Sequence, residues 1–161
     1  MELTNTTREE WTPELRQKII DSRFRGNHTI AQLGIKCVDL EPGYAAGEME
    51  IKDIHINPLG SVHGGMIFTF ADSIGGTAAC SRGSWIVTSS SSMNFFRPAF
   101  HVKKLYAYAR ELKAGNNLLT YEVEIRNEQD ILIAKSTIEY CSLHVAFGHY
   151  DLLEEKQKDL T

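Results

Sequence analysis

An α+β fold, with one antiparallel sheet wrapped around a single long central helix, is the architecture this sequence predicts. Three observations carry it. The chain has 161 residues, the size of one domain. Residues 63–80 hold one acid, Asp72, and no Lys, Arg or Pro, so a helix there is apolar nearly all round and is buried on most sides. Most of the chain beyond residue 84 alternates apolar with polar positions, the period of half-buried strands. One long apolar helix needs one sheet curling around it.

The elements follow in order. Thr12-Pro13-Glu14 gives a capping residue, a proline at the first helical position and an acid, so a helix starts there. Leu15, Ile19 and Ile20 form its apolar face up to about Arg23, and Gly26-Asn27 end it. Residues 34–41 and 44–51 read as strands joined at Pro42-Gly43, a hairpin. Residues 53–62 form a loop with Asn57-Pro58 and Gly60, and the buried helix follows it. Residues 85–96 are a strand carrying the serine run 89–92, stopped by Arg97-Pro98. Residues 102–113, 118–126 and 131–143 are further strands, parted by Gly115-Asn116-Asn117 and by a turn over 127–130. The tail, 150–161, is charged and reads as a surface helix. Helix, hairpin, buried helix and then three or four antiparallel strands make a hotdog fold. The chain divides into an N-terminal helical extension over 1–33, the hotdog domain over 34–145 and a charged tail over 146–161.

Charge and composition remove several function classes. Seventeen Lys and Arg stand against twenty-one Asp and Glu, a net charge of −4, which argues against binding nucleic acid by phosphate neutralisation. No apolar run approaches the ~20 residues of a membrane span, and the N-terminus has no apolar signal core. Cys37, Cys80 and Cys141 are widely spaced with no CxxC pair, so neither a disulfide framework nor a zinc ribbon is suggested. A reduced cytoplasmic chain without metal or resident cofactor is the expectation. His55, His101, His144 and His149 are scattered and read as surface or packing residues, and the GxSxG elbow of a serine hydrolase is absent.

Two features carry chemistry. Asp72 is the one ionised side chain in the buried helix, a costly placement unless it is paired or lines a cavity. Gly65, Thr69, Ser73 and Gly76 lie near it at helical spacing and make one open polar stripe, while Met66, Ile67, Phe70, Ile74 and Ala78 are free to face the sheet. Asp72 therefore reads either as a hydrogen-bonded structural acid or as a working carboxylate. His63-Gly64-Gly65 opens the same helix, where unpaired N–H groups and the positive helix end suit a carbonyl oxygen becoming an oxyanion. It also reads as a tight turn that simply needs glycine. Gly64 and Asp72 are eight residues apart, about 12 Å along the axis. They cannot both reach one carbon within one chain, so a site using both needs a two-fold dimer.

The stretch from Asn57 to Gly65, with Ala71-Asp72 and the later Asn94-Phe95-Phe96-Arg97-Pro98-Ala99, resembles the hotdog acyl-CoA thioesterases of the phenylacetic acid degradation type. The resemblance runs over 34–143. It implies hydrolysis of an acyl-CoA thioester with Asp72 as general base or nucleophile. It further implies Gly64 N–H on the thioester carbonyl, Asn57 on carbonyl or water, His63 holding the loop and a strand hydroxyl, Thr88 or a neighbour, on the water. Coenzyme A is then part of the substrate. Its phosphates want basic groups at the mouth: Arg97 first, by the family pattern, then Lys103 and Arg82, with Lys104 and Arg110 behind them; Gly65, beside Gly64, is a further expected contact to coenzyme A. Each of these charges also reads as an ordinary solvated one. Phe68, Phe70, Ile74 and Met93 are the expected lining for an aromatic or medium-chain acyl group. The implied assembly is a dimer or a dimer of dimers. Two other readings stand beside this one. A non-catalytic acyl-CoA sensor would carry an added module or lack the acid, and a hotdog hydratase would want a His close to the Asp.

Overall fold

The computed structural model describes residues 8–25, 27–147, 149, 154–155 and 158. Gly26 and most of the tail lie outside them. Helix α1 spans Pro13–Ile20, with Thr12 Oγ1 accepting the Leu15 N–H at 3.1 Å. The chain then widens into a π turn over Asp21–Arg25 and makes a short helix α2, His28–Gln32, capped by Asn27. These last two elements have no periodic signal in the sequence, being shorter than two turns of a regular helix.

Strands β1 (Ile35–Glu41) and β2 (Tyr44–Glu50) form the expected hairpin. Helix α3 covers Gly64–Cys80, and strands β3 (Ser84–Phe95), β4 (Lys104–Ala114), β5 (Leu118–Asn127) and β6 (Leu132–Ala146) follow. All neighbours pair antiparallel, in the order β1-β2-β4-β5-β6-β3. The hotdog architecture is thus present, with β3 crossing over α3 to become an edge.

Ile67, Phe70, Ile74 and Ala78 of α3 are buried against this sheet, facing Met49, Ala107, Val123 and Ile138 in one core. The packing is close: an added Cβ at Gly47 on β2 would strike Ile74, and one at Gly75 would strike the Tyr140 hydroxyl. Interiors of that density leave no space for an extra methyl.

The N-terminal extension is part of the core. Leu15 and Ile19 are fully buried, and the Arg16 guanidinium reaches the Leu40 carbonyl on β1 at 3.2 Å. At the other end the core continues past residue 145. Phe147 is fully buried and stacks on Trp85 with centroids 4.1 Å apart. No helix among the described residues is long and apolar enough to cross a membrane.

Candidate functional site

Helix α3 presents polar chemistry at two separate places. At its start, His63 is the N-cap: Nδ1 accepts the Gly65 N–H at 3.0 Å, and the His63 carbonyl takes the Met66 and Ile67 N–H groups at 2.9 and 3.2 Å. His63 N–H in turn donates to the His55 carbonyl at 2.7 Å, tying helix to loop. Gly64 N–H is left without an acceptor among the described residues, at the positive end of a 17-residue helix. Gly65 differs from the expectation, because its N–H is already satisfied by His63 and is not available to a ligand.

Gly64 opens into a cleft of about 290 Å³ that also holds Asn57, Phe95, Phe96 and Arg97. Asn57 mostly serves its own loop. Its Oδ1 accepts the Leu59 and Ser61 N–H groups at 2.9 and 3.2 Å, and its Nδ2 donates to Ser61 Oγ at 2.9 Å. One amide N–H remains for a substrate. Arg97 donates to the Leu132 carbonyl at 3.0 Å and stays exposed at the rim.

Asp72 lies in a different cleft, of about 420 Å³. Its carboxylate Oδ1 accepts a hydrogen bond from the Thr88 hydroxyl on β3 at 2.9 Å, and its backbone carbonyl accepts one from the Tyr140 hydroxyl at 3.1 Å. Burial raises the Tyr140 phenol well above the ordinary range, and the nearby Asp72 charge adds to that, so Tyr140 remains a donor. On the polar stripe Thr69, Ser73 and Thr77 turn their hydroxyls back to the carbonyls of Gly65, Thr69 and Ser73. Self-satisfied hydroxyls of this kind let a polar face sit in a tight interior.

The expected acyl lining does not gather at the Asp72 cleft of one chain. Phe70 and Ile74 are fully buried in the core, Phe68 is partly exposed, and neither Phe68 nor Met93 borders the Asp72 cleft. Its walls are Thr69, Ser73 and Trp85 together with Ser22, Arg23, Phe24, Asn27, Thr29 and Ile30 from the extension. An outward-looking residue on a helix gives no sign in sequence of which distant segment will cover it.

The basic residues divide. Only Arg97 stands at a cleft with Gly64. Arg82 lies beyond the far end of α3, bound to Glu111 through two contacts of 2.6 and 2.8 Å. Burial pushes the Glu111 carboxyl up, but hydrogen bonds from Arg82 and Tyr121 outweigh it and hold the group low. An arginine so engaged is not a free phosphate contact. Lys104 pairs with Glu48 at 2.9 Å, Arg110 lies with Glu124 and Arg126 in another depression, and Lys103 is exposed in neither cleft. Among the described residues no cluster of three His, Cys, Asp or Glu is placed to hold a metal ion.

Residues 59–134 match the thioesterase superfamily. The acyl-coenzyme A thioesterase PaaI of Escherichia coli is 32% identical over 102 residues, which is 63% of this chain and 73% of that protein. The structure of the E. coli PaaI protein from the phenylacetic acid degradation operon superposes with a TM-score of 0.76 at 26% identity, covering 80% of this chain and 94% of that one. A Streptococcus mutans protein bound to acetyl CoA superposes with a TM-score of 0.65 at 29% identity, over 67% of this chain and 87% of its own.

Proposed function

The chain belongs to the thioesterase superfamily as a hotdog thioester hydrolase of the phenylacetic acid degradation type, and from that membership we propose that it cuts acyl-coenzyme A thioesters with water activated by Asp72. The observation that carries this reading is the Thr88–Asp72 hydrogen bond at the cleft wall. The hydroxyl spends its single proton on Oδ1, which leaves Oδ2 and the threonine lone pairs to hold a water between them. Asp72 takes a proton as the water oxygen attacks the thioester carbon. The carbonyl oxygen becomes an oxyanion and is met by a free N–H at a helix start, the property Gly64 has. Collapse of the tetrahedral intermediate breaks the C–S bond, releasing the acid and the coenzyme A thiolate, which is then protonated.

Gly64 and Asp72 of one chain open into different clefts, so the reading requires Gly64 from a second copy. Strand β3 supports that assembly. It is the terminal strand of the sheet, paired on one side only, and it ends at Phe95 and Phe96, each 53% exposed. A 12-residue strand left unpaired on one side is a template for pairing with another strand. Two copies joined along β3 form the minimal enzyme, and a dimer of dimers repeats it. Three free thiols fit a reducing cytoplasm.

Free-thiol release from a panel of acyl-CoAs tests the activity. A single turnover in ¹⁸O-labelled water then separates the two roles of the acid. Unlabelled acid shows that Asp72 itself attacked and that water opened the anhydride at the aspartyl carbon, whereas labelled acid with no acyl-enzyme found by mass spectrometry shows direct water attack.

A further inference from the structure

The Asp72 cleft contains a cation that the mechanism above does not use. Arg23 comes from the π turn and lies across α3 at Gly76, where an added Cβ would stand 2.7 Å from Nη2. Its Nε donates to Thr77 Oγ1 at 2.9 Å, Nη2 to the Ser73 carbonyl at 3.3 Å and Nη1 to Cys80 Sγ at 3.8 Å. All three acceptors are neutral. Arg23 makes no ion pair with any described residue, whereas Asp21 and Arg25 in the same turn pair with each other at 2.9 Å. A guanidinium has five N–H donors, so two are left over. A half-buried cation with no carboxylate of the described residues in direct contact costs folding free energy, which an anionic ligand offsets.

Its position sets a length. Asp72 and Gly76 are one helical turn apart on one face, so the guanidinium lies roughly 6 Å along the helix from the Asp72 side chain. Only a short chain of a few carbons fits between a thioester carbon beside Asp72 and a carboxylate held on Arg23. Ser22, Asn27 and Thr29 give the wall polar groups beside the apolar Phe24, Ile30 and Trp85.

We propose that Arg23 binds the far end of the acyl group, and that the preferred substrate is a short acyl thioester ending in a carboxylate. The inference rests on the thioesterase reading of the same cleft and names its substrate class. A terminal carboxylate accepts two parallel hydrogen bonds from the free N–H groups, the strong geometry for this pair. The acyl carbons bridge the gap to the reacting carbonyl.

The test is kcat/KM for glutaryl-CoA against pentanoyl-CoA, which differ in a terminal carboxylate replacing a methyl. Wild type is expected to prefer glutaryl-CoA by about 10- to 100-fold, the range of a charge-assisted pair. Arg23→Gln brings that ratio to about one, and Arg23→Lys retains part of it. Arg23→Met, which keeps the apolar stem over Gly76, replaces the glutamine variant if thermal melts show that one unfolded. A wild-type ratio of one or less overturns the inference while leaving thioester hydrolysis intact. So does an Arg23→Gln variant that lowers both rates and keeps the ratio. If neither substrate nor acetyl-CoA releases thiol, the hydrolase reading falls and takes this inference with it.

Discussion

The Thr88 hydroxyl donates to Asp72 Oδ1 at 2.9 Å, joining the edge strand to the one acid of the central helix. Within the proposed mechanism this bond orients the base. Asp72→Asn keeps the shape and loses the proton acceptor, so kcat should fall at least ~100-fold with the fold unchanged by circular dichroism. Thr88→Ala removes one hydrogen bond to a carboxylate and should lower kcat by about 10- to 150-fold with KM changed less, while Thr88→Ser restores most of the rate. A silent Thr88→Ala paired with a defective Ser90→Ala would move the water-holding role along β3, although Ser90 Oγ is already bound to Glu139 at 2.8 Å.

Assembly is tested by complementation between two inactive variants. In Gly64→Val the added side chain meets the Phe95 ring, 3.4 Å from the Cβ position, and shields the N–H. Gly64→Val and Asp72→Asn should each be inactive alone. Refolded together, they form mixed dimers with one intact site of two, and a statistical mixture recovers about a quarter of wild-type activity. No recovery, with mixed dimers shown by native mass spectrometry, would place both residues in one chain's site.

Asn57 holds the 57–61 loop through three side-chain hydrogen bonds. Asn57→Ala should therefore cost about 1–3 kcal/mol in urea denaturation and also lower kcat, since the loop carries the cleft that contains Gly64. Asn57→Asp keeps the two Oδ1 contacts and should recover much of the stability. Activity lost without any stability loss would mark a direct contact with substrate.

His55 gives a pH signature. It is buried, its Nδ1 accepts the Lys52 N–H at 2.8 Å, and its Nε2 has no hydrogen-bond partner. Burial, and then the Lys52 charge, lower its pKa. The unfolded chain thus binds this proton more readily than the folded one. Stability from His55 is complete above about pH 6.5 and declines as pH falls below it, by up to about 1.4 kcal/mol per pH unit. Urea titrations between pH 7.5 and 5 should show the gap between wild type and His55→Asn narrowing on acidification. A constant gap would refute the assignment.

Much of this was legible from residue patterns. The alternation of Tyr121, Val123 and Ile125 placed β5 with one face in the core, and all three are buried. The lone acid in an apolar helix marked Asp72. What stayed hidden depends on distant contacts. Arg23 meets Ser73, Thr77 and Cys80 across 50 to 57 residues, and Arg82 meets Glu111 across 29, separations that leave no local periodicity. Phe70 and Ile74 look like pocket lining in sequence because core and pocket want the same residue types. The commitment of the Gly65 N–H was within reach, since a histidine two residues before it at a helix start is a capping arrangement.

The strand order also governs how the chain folds. Thr88 pairs with Tyr140 and Phe95 with Ala134, and the extension, made first, packs on a helix made much later. Contacts this far apart in sequence slow the search for the native state, because long loops must close before any pairing rewards them. On the ribosome the serine-rich strand emerges well before β6, its neighbour in the sheet. Its run of serines lowers the apolar content of an exposed segment during that wait and so guards against premature association with other nascent chains.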